Sequence, residues 1–574
     1  MKKETLLAII ISAGIFIAWD PFCKLMGWLP DEKPKTTAQN TTPTEKAATD
    51  QKADDPAAKK EAATDQKADN SAVKEETATI AAAPVKPEIP PVFLKNDVLQ
   101  FTFSPEYGSI SAITLLKYQN SARNGNVVIN PALSNSAHGA LAVFPEKGSW
   151  TCLEILQSEV KGDQYTLVRK LQDERGNVFS MTQVWQLATG KYQTNYTFSF
   201  HNLSDKPIEF GKLVVFGGEL LSWKKISGDN TRISSHRFSY LTSDGDYEDI
   251  DADKKHSKFM LDKEQSVDWC GVSNKYYCSI LDAEKPFTLF QSQEFDEKVP
   301  RIAAGAQLDG FTLAPNADAS YAFSLYSGPK IPDNLSAFHP SATKVLHLAW
   351  GPLNYLARFL LWILVKLYAL CHSYGFSIIL LTLIVRLAFY PITAKANTSM
   401  KKMQLVQPKL KELREKYKDN PQLMNAKMME LYRTEKVNPF GGCLPILLQI
   451  PIFFALYQML DSAIQLRQVS FLWCHDLAQA DTIFRIPLGF CDLPFNPLAI
   501  AMTALMLLQQ RLTPAVGDPA QRKMMMFMPL VMLIFLYDLP SGLTLYWTVS
   551  NAFSILQMLI QNRNHTAVTA SAGK

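Results

Sequence analysis

Cysteine is scarce: eight residues in 574, at positions 23, 152, 270, 278, 371, 443, 474 and 491. That is too few for a disulfide scaffold, and with no CxxC pair a structural zinc site has no support. A Walker lysine loop, GxSxG and HExxH are also missing, and no nucleophile–base pair suggests itself, so neither an ATP site nor covalent chemistry is expected. Excess charge is lacking too. Lys+Arg number 58 against Asp+Glu 54, a net of +4, which excludes a generally basic nucleic-acid binder and an acidic disordered protein. Expectations follow of no enzyme activity, no cofactor, no metal and no nucleic-acid binding.

The mean hydropathy of −0.05 averages over extremes. Lys2 and Lys3 precede an apolar run from Thr5 to Trp19 with no small-x-small cleavage site after it. Residues 1–30 therefore read as an uncleaved signal anchor with its lysines cytoplasmic. Residues 31–91 are rich in Ala, Lys, Asp, Thr and Pro with almost no large apolar side chains, and AATDQKAD stands at Ala47–Asp54 and again at Ala62–Asp69. This composition buries too little surface to offset chain entropy and reads as a disordered tether.

From residue 92 to 340 the texture is period-2 alternation, as in Tyr192–Phe200, with turn signals such as Arg123-Asn124-Gly125 between runs. This predicts a large exported antiparallel β-sandwich. His201, His236 and His256 lack metal-ligand spacing and read as surface or core histidines. Cys152, Cys270 and Cys278 leave room for one disulfide, and Cys474 and Cys491 share one outer loop where they are able to pair.

The second half is apolar and helical. Leu353–Leu370 carries Arg358 and Lys366 and reads as an amphipathic helix on the outer surface, within 341–372. A second span is expected over 373–394, and four more over 439–562 (about Leu444–Leu466, Phe495–Leu512, Met524–Leu539 and Leu543–Ile560), followed by a tail at 563–574. With the anchor these make six spans. Residues 395–436 hold eleven basic against five acidic residues, a net of +6, whereas 467–494 hold two against three. The positive-inside rule then puts both termini in the cytoplasm and residues 31–372 outside.

The segment 395–438 has a helical face of Met400, Met403, Val406, Leu410, Leu413 and Tyr417, and Asn420-Pro421 reads as a cap and first position of a second helix. It is expected to be a basic helical hairpin, either resting beside anionic lipid or capturing a polypeptide. Its candidate recruitment residues are Lys401, Lys402, Lys409, Lys411, Arg414 and Lys416. Arg386 is the strongest single signal. An arginine inside a span costs roughly 2.5–3.5 kcal/mol on insertion scales and marks a protein interior or wet cavity. Thr382 lies one turn earlier on its face. In the last span Thr544, Trp547, Thr548 and Asn551 fall in an arc of roughly 100°, which Ser554 extends, and Gln449 adds a polar group in the third. Fourteen of eighteen methionines lie between Met400 and Met558.

Several strings together resemble a known family: Tyr326-Ser-Gly-Pro-Lys330, Gly375–Arg386 leading to Tyr390-Pro-Ile-Thr393, Ser399–Met403, Val437–Pro445, Gln449–Phe453, and Pro540–Trp547 with Ser550-Asn551. They resemble the Gram-negative form of the YidC/Oxa/Alb membrane protein insertases. The resemblance implies a polytopic α-helical inner-membrane protein, with a five-helix core around a hydrophilic groove and a periplasmic β-supersandwich related to sugar mutarotases. It implies the groove arginine and threonine at Arg386 and Thr382, substrate-contacting aromatics at Tyr546 and Trp547, and substrate recruitment by the basic hairpin. The expected function is insertion and folding of inner-membrane proteins, with the apolar part of the client sliding along Phe453, Met528 and Met532. Expected partners are nascent membrane proteins, the Sec translocon with its accessory subunits, membrane lipids and, as a further candidate, the ribosome. Two rivals stand beside this reading: a small-anion transporter using Arg386, and a membrane-anchored exported enzyme acting on carbohydrate. One departure is Trp547, where such proteins often carry a second tyrosine; another is an extra residue in Tyr537-Asp538-Leu539.

Overall fold

The computed structural model describes residues 90–572 except 122, 130–138, 221–236, 252–264, 297–298, 350, 419, 436, 438–443, 488–491 and 514–518. The expected anchor, all but the last two residues of the expected tether, His236, His256 and Cys491 lie outside the described residues.

Alternation builds the first part. Strand Gln164–Asp173 buries every second side chain, and Val178–Leu187 and Gln193–Asn202 do the same, as half-buried strands must. One sheet of four strands runs 92–95, 99–104, 109–119, 126–129. A twelve-stranded antiparallel sheet orders 247–251, 237–242, 266–273, 277–296, 318–329, 193–202, 178–187, 164–173 and 150–161, with 213–220, 299–308 and 143–145 branching from it. The sheets share a core. The ring of Phe103 lies 4.6 Å from that of Tyr165 and 5.0 Å from Trp185, which stacks in turn on Tyr196. Cys270 and Cys278 are buried thiols whose cross-strand partners are Leu281 and Ser273. They do not face each other, and Cys152 and Cys474 are likewise free thiols, so the one disulfide for which the sequence left room among Cys152, Cys270 and Cys278 does not form. Burial pushes the Cys278 thiol up to about 12. His201 sits on the surface beside Asp318 at 2.9 Å.

Among the described residues eight α-helices follow: α1 Pro332–Phe338, α2 Leu353–Cys371, α3 Tyr374–Lys416, α4 Pro421–Thr434, α5 Leu444–Ser462, α6 Pro497–Leu512, α7 Pro519–Leu536 and α8 Ser541–Ala572. Among the described residues three stretches are long and apolar enough to cross a membrane: Leu353–Cys371, Tyr374–Ala396 and Ser541–Ile560. The first of these is the helix expected on the surface. Its Arg358 does not form a polar stripe, because the guanidinium donates to the carbonyls of Thr343, Lys344 and Leu346 ahead of the helix. Ala357, Leu360, Leu361 and Leu364 are buried, and Tyr355, Phe359, Trp362 and Lys366 are exposed. The other difference is continuity. The second span and the first arm of the basic hairpin are a single helix, α3, which runs through Pro391 and Pro408.

The bundle closes around α3, α5 and α8. Helix α2 packs on α3 and α5, α8 packs on α3 and α6, and α7 packs on α6. At the end facing the β-domain, the chain between α5 and α6 folds over the helix ends. Asp476 accepts the amides of Gln468 and Ala478, and its carbonyl takes the hydroxyl of Ser541, at the start of α8. The amides of Ser541 and Gly542 donate to the carbonyls of Gln479 and Leu477. The polar ends of the helices are thereby satisfied by this loop.

Candidate functional site

Three of the expected residues meet in one place. Arg386 of α3, Gln449 of α5 and Tyr546 of α8 line one open recess, together with Val385, Phe389, Thr393 and Ile452. Helix periodicity explains the α3 contribution, since 382, 386, 389 and 393 lie on one side of a helix. The guanidinium is fixed by one side chain. Ser550 Oγ accepts from Arg386 Nε at 2.8 Å and also from Nη2. No carboxylate pairs with Arg386 among the described residues. A cation left without a counter-ion at low dielectric attracts anions strongly.

The other polar residues divide. Thr382 is fully buried, and its hydroxyl returns to the Ile378 carbonyl at 2.7 Å. Thr544 and Thr548 bond back to Pro540 and Thr544 in the same way. These three hydroxyls are spent on their own helices and offer a guest little. Asn551 is buried, and its Nδ2 has no hydrogen-bond partner among the described residues. A buried amide left open costs free energy unless water or a ligand meets it. Trp547 does not line the recess. Its ring lies 4.7 Å from that of Phe453, tilted by 60°, so the expected aromatic and the first slide residue form one apolar wall. Met528, 53% exposed, and the half-buried Met532 stand on α7, whose main packing partner is α6. The structure does not gather them beside Phe453.

The basic hairpin forms as the periodicity predicts. Met403, Val406, Leu410 and Val437 make a small core with Met428, Leu431 and Tyr432. Asn420 caps α4, its Oδ1 accepting the amide of Leu423 at 3.1 Å. The expected recruitment residues differ in their partners. Lys402 is exposed, Lys409 pairs with Glu435 at 2.5 Å, and Lys411 approaches Glu415 at 4.0 Å. Arg414 is half-buried, and Lys416 extends over the Tyr417 ring. The side chain of Lys401 lies outside the described ones.

Sequence reasoning missed Ser550 as a site residue. Its signal was the polar arc of α8: Ser550 lies about 40° beyond Ser554 on the helical wheel. A small hydroxyl residue in a span ordinarily reads as packing glue.

Comparison with known proteins bears on the whole chain. Residues 366–568 match the family model described as 60Kd inner membrane protein, and residues 92–363 match the YidC periplasmic domain. The chain is 30% identical over 582 residues to the membrane protein insertase YidC of Herminiimonas arsenicoxydans, covering 98% of both. It is 31% identical to that of Janthinobacterium sp. strain Marseille, covering 97% of both. A crystal structure of an active YidC insertase with its first transmembrane domain resolved aligns at 17% identity, over 82% of this chain and 92% of its own, with a TM-score of 0.36. Relatives of this identity along nearly the full length, with two models dividing the chain between them, place it in the YidC family of membrane protein insertases.

Proposed function

We propose that this chain inserts integral inner-membrane proteins, and helps them fold, by admitting the polar tail of a client span into the recess, where Arg386 attracts its acidic residues. The observation that carries this is the Arg386 guanidinium, tied to a neutral hydroxyl with no carboxylate paired to it among the described residues. The barrier to inserting a short span is the passage of its polar tail through hydrocarbon. A recess that offers Arg386 and Gln449 shortens that passage, and the cation lowers its cost for acidic tails. The apolar part of the client moves along the wall of Phe453 and Trp547 and past Met528 and Met532, whose flexible thioethers accommodate varied side chains. Partition of about 20 apolar residues into lipid drives release, with no nucleotide.

Six spans, counting the anchor, with α3 and α5–α8 as a five-helix core, complete the proposal. Both termini and the α3–α4 hairpin lie in the cytoplasm, and α2 rests at the outer surface. The hairpin, with Lys401, Lys402, Lys409, Lys411, Arg414 and Lys416, recruits nascent membrane proteins. Work alongside the Sec translocon and its accessory subunits, and receipt of clients from the ribosome, belong to the same reading.

The test uses the purified full-length protein in liposomes with a single-span client bearing an acidic amino tail. Protease protection of the tail above that in empty liposomes, without nucleotide, is expected. Arg386→Lys retains most of it and Arg386→Glu abolishes it. Equal protection by both variants overturns the electrostatic role, and saturable uptake of a small anion in place of tail protection favours a transporter.

A further inference from the structure

The chain between α5 and α6 carries a feature that the recess does not use. Strands Phe484–Pro487 and Asp492–Phe495 form a separate two-stranded antiparallel ribbon. Phe484 pairs with Phe495, Arg485 with Pro494, Ile486 with Leu493, and Pro487 with Asp492. Cross-strand partners share a face, and neighbours along a strand alternate. Phe484, Ile486, Leu493 and Phe495 therefore make one apolar face, while Arg485 and Asp492 lie on the other. The Phe484 and Phe495 rings stack at 4.9 Å and 16°, yet the face is uncovered: Phe484 is 51% exposed, Ile486 38% and Leu493 44%. An isolated ribbon of this length is marginal in water, and an exposed apolar face on it marks a contact surface.

Its position names what covers it. At the base, Thr482 Oγ1 donates to Asn496 Oδ1 at 2.7 Å, and Asn496 Nδ2 donates to the Tyr537 carbonyl at 2.8 Å. The Tyr537 hydroxyl donates to the Pro494 carbonyl at 2.6 Å. Asn496 is the N-cap residue of α6, and Tyr537 follows the last residue of α7. The indole N–H of Trp473 donates to Asp481 Oδ2 at 3.1 Å, and the same oxygen accepts the amide of Leu498 in the first turn of α6. The ribbon and Trp473 are thus held level with the ends of two apolar helices, at the end of the bundle where Arg123 of the β-domain donates to the His475 carbonyl. Helix α7 exposes Leu530, Val531 and Ile534 just before this level. In an inner-membrane protein such a level is the boundary between headgroups and acyl chains. A tryptophan with its N–H bonded and its ring exposed is the amphipathic group enriched there. The recess is lined by α3, α5 and α8, and no residue of the ribbon lines it.

We propose that the apolar face of this ribbon, with Trp473, inserts into the interfacial zone of the membrane leaflet on the β-domain side. This shallow, non-spanning contact sets the depth of α6 and α7 in the bilayer. To test it, benzoylphenylalanine is placed singly at Phe484, Ile486 and, as a water-exposed reference, Lys161 in the full chain. Each protein is reconstituted in phosphatidylethanolamine–phosphatidylglycerol vesicles, irradiated with and without a single-span client, and weighed intact by mass spectrometry. A mass increase of one phospholipid at 484 and 486, above the level at 161 and unchanged by client, is the expected result. Labelling no greater than at 161, or cross-links to client or to a second copy replacing the lipid adduct, overturns the proposal.

Discussion

A guanidinium carries five N–H donors, and the Ser550 hydroxyl occupies two of those on Arg386. On the proposed function three remain for a guest, and Ser550 is then a positioning residue: it fixes where the charge points without neutralising it. Removing that hydroxyl leaves a half-buried cation without its anchor. Ser550→Ala is expected to cost about 1.5–3 kcal/mol of stability, the worth of a hydrogen bond to a charged group, read by thermal unfolding in detergent. Protection of acidic-tailed clients falls too, but less than with Arg386→Glu, and Ser550→Thr restores both. Unchanged stability and insertion in Ser550→Ala would remove Ser550 from the site. Arg386 was legible from sequence because a charge inside an apolar run is costly enough to need a reason. Ser550 was not, because a serine in a span costs little and its partner lies 164 positions away. The hydroxyls of Thr382 and Thr548 looked equally available, yet each bonds to its own helix, a choice periodicity does not reveal.

Elements carry their own tests. The α3–α4 hairpin was legible in detail, since both its apolar stripe and the Asn420 cap are local signals. Asn420→Ala should cost about 1 kcal/mol, confined to α4, and speed amide exchange at Leu423 while leaving the spans unchanged. The absence of a break between the second span and this hairpin was not legible, because the change from apolar to basic residues at Lys395 reads as the boundary between a span and a loop. The leader into α2 shows a different device. Asp249, on strand Tyr247–Asp251, accepts Ser239 Oγ at 2.7 Å, pairs with Arg237, and meets His347 Nε2 at 2.8 Å. Burial alone would raise its pKa. The charges of His347 and Arg237 and the hydroxyl of Ser239 outweigh burial and hold it at about 2. A carboxyl with a depressed folded-state pKa stabilises above its unfolded value, and the contribution fades as pH falls through the folded one. Asp249→Asn should therefore lower stability by about 2 kcal/mol at pH 7. The gap to the parent protein should close as pH falls from about 4 to about 2, followed by near-ultraviolet circular dichroism of the full chain. A gap independent of pH would mean that shape, not charge, holds this junction.

At the scale of the whole molecule, the order of parts follows from composition: alternation gives way to apolar helical runs near residue 330, and each texture folds by its own period. How the parts dock was not legible, because docking depends on pairs far apart in the chain. The central pair is Lys275 of the β-domain with Asp461, one residue before the end of α5. Their contact is 2.9 Å, and the side chains are only 5% and 14% exposed. Tyr276 adds a bond from its hydroxyl to the Asp461 carbonyl, and Arg467 reaches the Gln119 carbonyl from the other side at 2.6 Å. Two ions taken out of water gain little over a well-packed apolar pair, but removing one leaves the other stranded. Asp461→Asn should thus destabilise the docked state by about 3 kcal/mol, and the double change with Lys275→Met should recover most of that. Because α5 also carries Gln449 and Phe453, the pair joins the β-domain to the helix that lines the recess. If this joint only glues, Asp461→Asn lowers thermal stability while client insertion at permissive temperature is unchanged. If it also positions α5, tail protection falls in Asp461→Asn and returns in the double variant. Loss of insertion that the double variant fails to restore, at recovered stability, would show that the charge itself, rather than the docked geometry, is what the recess requires.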